Sequence, residues 1–266
     1  MTDIAYLTTP AGQRLAYYDT KTADTKTGDG EPVLALHGAF GRGRPFLPLL
    51  SGTGRRVVAV DQRGHGHSDR ADDYSRAAYL ADTEAVIEAL DLAPAVIVGH
   101  SLGGINAYQL AARRPELVRA LVVIDMSAEL APSVSSWLEG FPERFDSLVE
   151  LRAELAARIT IGSPEHFLEG AFEDERGWGL RWRPDDVVAT KAAIYDSWWD
   201  DWSASRHPTL LLRGERSLVV SADMAERMLA TRPNTTLATV DGAGHDLYVT
   251  HREQAAATIE GFLAGL

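Results

Sequence analysis

A serine hydroxyl is a weak nucleophile until the chain presents it openly and a neighbouring base removes its proton. Val98-Gly99-His100-Ser101-Leu102-Gly103-Gly104 meets the first requirement, because a G-x-S-x-G pattern follows an apolar run and opens a helix-patterned segment. Ser101 is therefore the candidate nucleophile of an acyl transfer. A turn from strand into helix is tight and strained, so Gly99 and Gly103 fall where neighbouring backbone must pass closely. The N–H of Leu102, first in the helix, is placed to donate to an oxyanion, and the helix dipole adds favourable potential. A Gly-Ser turn can also simply cap a helix. The strand–turn–helix context favours the nucleophile.

Placing that turn needs a parallel α/β framework, and the chain reads as one. Short uniform apolar runs recur at Val33–Leu36, Val57–Val60, Ala95–Val98, Leu121–Ile124 and Thr209–Leu212, the pattern of strands buried on both faces. Helix-patterned segments lie between them, such as Ser75 to Leu90 and Leu102 to Arg114, the latter stopped by Pro115. The alternation predicts a mostly parallel twisted sheet flanked by helices. Ala5–Leu7 and Leu15–Tyr18 around Pro10-Ala11-Gly12 predict an N-terminal hairpin, and Lys21 to Glu31 reads as an exposed loop. A helix near Ser221 to Ala230, a strand Thr235 to Val240 and a helix around Glu253 to Leu263 complete the chain.

One interval breaks the rhythm. About 80 residues separate the strand ending near Ile124 from the next, where a single helix would suffice. Residues 127–205 are expected to form a helical cap inserted into a core of residues 1–126 and 206–266, with helices over Arg144 to Ile159 and Pro184 to Trp199. This insert carries all six tryptophans. They either wall an apolar pocket or glue the insert to the core. Phe40, Met126, Trp137 and Trp198 are the candidate pocket residues.

Composition removes other classes. The 266 residues are 45% hydrophobic and 24% charged, which is ordinary for a globular domain. A net charge of −12 offers no basic footprint for nucleic acid or anionic lipid, and makes a neutral or cationic substrate the simpler expectation. With no cysteine, disulfides, thiolate metal sites and a cysteine nucleophile are all excluded. No apolar run approaches the roughly 18 residues of a membrane span. Met1-Thr2-Asp3-Ile4 lacks a secretory leader's basic and apolar regions, so the cytoplasm is the expected location. Gly41-Arg42-Gly43-Arg44 lacks phosphate-loop spacing, and no clustered His and carboxylate pattern marks a metal. No cofactor is expected.

Three further segments extend the pattern: Leu36-His37-Gly38-Ala39-Phe40, the run Asp61-Gln62-Arg63-Gly64-His65-Gly66-His67-Ser68, and Asp241-Gly242-Ala243-Gly244-His245. Together with the serine turn they resemble the α/β-hydrolase family over nearly the whole chain outside the insert. The resemblance implies a second oxyanion donor from the N–H of Ala39 or Phe40, a structural role for the Asp61–Ser68 segment, and His245 as the catalytic histidine. Imidazole suits that task, since it can accept and return a proton near neutral pH.

The acid that should orient His245 departs from the family pattern. In the resemblance it follows the strand ending at Leu212, three residues beyond a glycine, and Ser217 stands in that place. Asp125, ending the strand Leu121–Ile124, is the favoured substitute, and Glu215 the alternative. Either keeps the order Ser, acid, His. The implied activity is a cofactor-independent serine hydrolase opening an ester, lactone or related acyl bond of a hydrophobic or aromatic small molecule. A serine at the turn argues against the branches that the resemblance associates with an aspartate nucleophile. Carbon–carbon bond hydrolysis, perhydrolysis, acyl transfer, a lyase or cyclase using Ser101 and His245 for proton transfer, and a ligand-binding protein remain open. The oligomeric state is not legible.

Overall fold

The computed structural model describes residues 3–21, 30–131, 136–159 and 164–266. Among these residues ten strands form: β1 Ile4–Thr8, β2 Arg14–Asp19, β3 Val33–Leu36, β4 Val57–Asp61, β5 Ala95–His100, β6 Val118–Ile124, β7 Ala171–Asp174, β8 Gly177–Leu180, β9 Thr209–Gly214 and β10 Thr235–Val240. Eight make one sheet in the order β1-β2-β4-β3-β5-β6-β9-β10. The β1–β2 hairpin and the β2–β4 pair are antiparallel, and every other pair in this sheet is parallel. Most of the Lys21–Glu31 loop, residues 22–29, lies outside the described residues.

The apolar runs are uniform because each faces a helical layer on both sides. Leu34, Leu36, Val58, Val60, Ile97, Leu121, Val123 and Leu211 point to one layer, where the helices Arg76–Ala89, Leu102–Arg113 and Ala222–Thr231 bury Val86, Ile105, Tyr108, Ala225 and Met228. Their neighbours Val33, Ala35, Val57, Ala59, Val96, Val98, Val122 and Leu212 point to the other, against Phe46, Tyr248, Ile259 and Leu263. Ser75 and Ser221 start their helices by accepting from the backbone N–H of Ala78 and Met224, at 3.2 and 3.1 Å. No helix among the described residues is long and apolar enough to cross a membrane.

Between β6 and β9 the chain leaves the sheet and builds around its own apolar cluster of Leu138, Phe141, Leu151, Leu155, Phe167, Leu180, Trp182 and Val187. The expected helix from Arg144 starts instead at Leu148. Phe145 exchanges two 2.8 Å backbone hydrogen bonds with Trp178, and Ser147 then caps the helix by accepting from Glu150 N–H. The expected helix from Pro184 ends at Ile194 rather than Trp199, because the next backbone pairs with residues after β6: Leu130 donates to Asp196 and Trp198 to Ala128. A two-stranded antiparallel piece, β7–β8, stands where only helix was anticipated. Arg70 clamps Asp186 with two bonds of 2.8 and 2.7 Å, and Tyr79 meets Thr190 at 2.8 Å, so the helix Pro184–Ile194 is fastened to the loop after β4 and to the helix Arg76–Ala89.

Candidate active site

Each candidate group stands where a parallel strand ends, the place where open α/β sheets form crevices. Ser101 follows β5 with φ 51° and ψ −116°, a left-handed conformation costly for a side-chain-bearing residue. Its surroundings hold it there. Ser101 N–H donates to Ile124 O at 3.0 Å, and its own carbonyl accepts from Gly104 N–H at 2.8 Å. A Cβ on Gly99 would run into the carbonyl oxygen of Gly103, and one on Gly103 into that of Leu36 at the end of β3. Both obstacles are backbone, so neither can swing aside. Among the described residues, Leu102 N–H at the first helical position donates to no protein acceptor.

Asp125, fully buried at the end of β6 and also left-handed at φ 49°, points its carboxylate at three donors. Oδ2 lies 2.7 Å from His245 Nδ1 and accepts from Ser217 Oγ at 2.5 Å, while Oδ1 accepts from Gly214 N–H at 3.0 Å. Ser217 is itself fixed by accepting from the N–H groups of Val219 and Val220. Glu215 is turned elsewhere: its Oε2 accepts from Gly242 N–H at 2.7 Å, in the turn before His245. Burial by itself would lower the pKa of His245, but the Asp125 hydrogen bond and charge raise it above the ordinary value. An imidazole so held keeps its proton on Nδ1 and has Nε2 left to accept another.

Two histidines fix the peptides that follow β3. Gln62 N–H donates to His37 Nε2 at 2.9 Å, so His37 carries its proton on Nδ1, which donates to Gly38 O at 2.7 Å. That carbonyl also accepts from Gly41 N–H. A trans peptide sets its C=O and N–H in opposite directions, so anchoring Gly38 O aims Ala39 N–H. Likewise the ring of His65 reaches Ala39 O at 2.7 Å and Arg63 O at 2.8 Å, which fixes the peptide carrying Phe40 N–H. Burial, with the nearby His65, drives the His37 pKa down to about 3, so this contact does not titrate near neutral pH. The place for a Cβ on Gly38 is 3.2 Å from Ser101 Cβ, so these peptides border the serine.

A cavity of about 410 Å³ opens above the strand ends, lined by Ser101 and His245 and walled by Phe40, Met126, Leu130, Trp137, Phe167 and Ile194. Trp198 does not line it. Its indole N–H donates to Ile194 O at 3.0 Å and its ring packs against the core beneath. His100, His245 and Asp246 offer ligand atoms within 4.8 Å of one another. A metal there would compete for the His245 imidazole, since Nδ1 is taken by Asp125 and the His100 Nε2–H donates to His245 O at 3.0 Å.

Residues 31–252 match the model of the alpha/beta hydrolase fold family. The chain belongs to this family. It is 29% identical over 248 residues to the 2-(acetamidomethylene)succinate hydrolase of Mesorhizobium japonicum, covering 89% of each chain. It is also 29% identical to an sn-1-specific diacylglycerol lipase of Mus musculus, over 87% of this chain and 80% of that one. The crystal structure of E-2-(acetamidomethylene)succinate hydrolase superposes with a TM-score of 0.81 at 25% identity, over 98% of this chain and 100% of that one. The protein is an enzyme of the hydrolase class.

Sequence reasoning did not place five polar residues of this α/β hydrolase's cavity: Glu129, His166, Lys191, Tyr195 and Asp246. Asp246 follows His245 directly and could have been suspected from its neighbour. His166 and Lys191 lie on insert helices, where an irregular apolar pattern gives no sign of which face turns inward.

Proposed function

We propose that this hydrolase cleaves a carboxylic ester or lactone with a substantial apolar part, through an acyl-enzyme on Ser101, and that residues 127–205 act as a cap closing over the bound substrate. The observation that carries the reading is the 2.7 Å contact between His245 Nδ1 and the buried Asp125 carboxylate, at a cavity shared with a left-handed Ser101. Ser101 Oγ attacks the substrate carbonyl as His245 Nε2 takes its proton. The tetrahedral oxyanion is held by the N–H of Leu102 and of Ala39 or Phe40. His245 returns the proton to the departing alkoxide as the C–O bond breaks. Water, deprotonated in turn by His245, then releases the acid and restores Ser101.

A binding protein without turnover drew its force from Ser217 standing where the family carries its acid. With Asp125 meeting His245 from the neighbouring strand, that ground falls away. Apolar and aromatic walls favour a hydrophobic acyl or alcohol part, and the lipase among the relatives is consistent with ester chemistry. Intact mass after treatment with a small fluorophosphonate tests the mechanism. A single adduct on the native chain, absent from Ser101→Ala, is expected. A folded native protein that no fluorophosphonate or smaller acylating probe modifies would overturn the reading.

A further inference from the structure

Two apolar clusters meet at the cavity. Trp137 and Phe167 line it from the insert's own cluster, with their rings 5.2 and 5.1 Å from that of Phe40. Met126, Leu130, Ile194 and Val219 line it from the cluster that packs one face of the sheet. One wall is aromatic and the other aliphatic. Next to Val219 in the chain, Leu218 lines the same cavity and is 77% exposed. A single exposed leucine is ordinary on a protein surface. This one is held in place at the cavity. Ser217 N–H donates to Gly214 O at 3.1 Å and Arg216 N–H to Ala243 O at 2.8 Å, which closes the turn before it. Ser217 Oγ accepts from the N–H groups of Val219 and Val220 just after it. That same hydroxyl donates to Asp125 Oδ2, the oxygen that also meets His245.

We infer that the substrate is an ester whose alcohol part is itself an apolar chain of several carbons, and that Leu218 reads the length of that chain. The inference rests on the hydrolase reading above, which says which end of the substrate leaves. His245 must hand its proton to the departing alkoxide, so the alcohol part lies on the His245 side of the serine. The turn that carries Leu218 and Val219 is fastened to that side through Asp125. The oxyanion is taken by the peptides at Ala39 and Phe40, so the acyl part is left to the aromatic wall of Phe40 and Trp137. A methyl ester leaves Leu218 facing water. A longer alkoxy chain covers it, and apolar surface on both partners is removed from water together.

Two matched series test this. The alcohol varies in ethyl, butyl and hexyl acetate, and the acyl part varies in ethyl acetate, butanoate and hexanoate. All acetates form the same acetyl-enzyme, so the first series differs only up to loss of the alcohol. In the native enzyme kcat/KM is expected to rise at least about ten-fold from ethyl to hexyl acetate. Leu218→Ser should cut that ratio by about three- to ten-fold and keep the hexanoate-to-acetate ratio within about two-fold, while Leu218→Met keeps both. Because the side chain is mostly exposed, Leu218→Ser removes little that folding buries, and Tm should hold. A hexyl-to-ethyl ratio unchanged by Leu218→Ser, an equal fall in both series, or a native enzyme indifferent to alcohol length overturns the inference.

Binding separates this from the mechanism. Titration of Ser101→Ala with hexyl and ethyl acetate needs no turnover, and a preference for hexyl acetate that the added Leu218→Ser change lowers supports the inference even if Ser101 never labels. Labelled Ser101 with equal binding and turnover for every alcohol length sinks it and leaves the hydrolase reading standing.

Discussion

Asp125 receives donors from three places in the chain: Gly214 at the end of β9, Ser217 beyond it, and His245 after β10. A carboxylate already satisfied by Gly214 and Ser217 is fixed before His245 arrives, so it selects the Nδ1–H tautomer and leaves Nε2 facing the cavity. Asp125→Asn can offer its amide N–H to Nδ1 and favour the wrong tautomer. We expect kcat for an activated ester to fall by about 10³- to 10⁴-fold with the circular dichroism spectrum kept. Glu215→Gln, which only loosens the Gly242 turn, should stay within about five-fold, a surface-contact scale. The reverse ranking would remove Asp125 from its role. Because Asp125 raises the His245 pKa and only neutral imidazole accepts a proton, the acid limb of kcat/KM should inflect above 6.5 and move lower in Asp125→Asn. Ser217 Oγ is 2.5 Å from the same carboxylate oxygen that meets His245. An acid restored in the double variant Asp125→Asn/Ser217→Asp is therefore expected to recover at least about ten-fold of the lost kcat. Ser101 and His245 were legible because each sits in a motif a few residues long. Asp125 was legible from its place after a strand, whereas Ser217's bond to it joins residues 92 apart and has no local signature.

At the scale of elements, the serine turn is where strand, helix and loop constrain one another most tightly. Gly103 N–H donates to His37 O at 3.1 Å, and Gln62 Nε2–H donates to the same oxygen at 2.7 Å, so the ends of β3, β4 and β5 share one carbonyl. A methyl group on Gly103 must part β3 from the helix Leu102–Arg113, since the atom it meets is the Leu36 carbonyl. Gly103→Ala is expected to lose about 3 kcal/mol or more, a loss typical of overpacking between fixed backbones. Denaturant unfolding followed by tryptophan fluorescence measures it, and a loss below about 1 kcal/mol would mean that the elements part easily. The strands around this turn were legible since burial on both faces makes each a continuous apolar run. The β7–β8 pair was not, because its strands of four residues alternate weakly and pair within the insert. Helix ends in the insert were misjudged by several residues where backbone pairing with distant segments, Phe145 with Trp178 and Trp198 with Ala128, overrode a helical pattern.

Across the whole molecule, the insert must be tied to the sheet firmly enough that its cavity wall keeps its place above Ser101. Two of the six tryptophans divide this labour. Trp202 is fully buried at the seam: its indole N–H donates to Met228 O at 2.9 Å, Tyr108 meets it edge-on at 5.7 Å, and Arg232 donates to its backbone carbonyl at 2.7 Å. Trp137 instead lines the cavity, with its ring 5.2 Å from that of Phe40. Removing Trp202 deletes its packing against Tyr108 and leaves the Met228 carbonyl with the Thr231 hydroxyl at 3.1 Å in place of the indole, so Trp202→Ala should cost about 3–5 kcal/mol. For a chain of this length that is a fall in Tm of about 10 °C or more. Trp137→Ala opens a wall toward solvent-filled space and should move Tm by less than half as much. Its expected mark is on catalysis, with KM for long or aromatic acyl esters raised several-fold while acetyl esters change little. Thermal unfolding of both variants, alongside KM over a series of acyl lengths, checks the division. If Trp137→Ala lowers Tm as far as Trp202→Ala and leaves the acyl-length profile untouched, the aromatic wall is a brace for the insert and substrate length is read elsewhere.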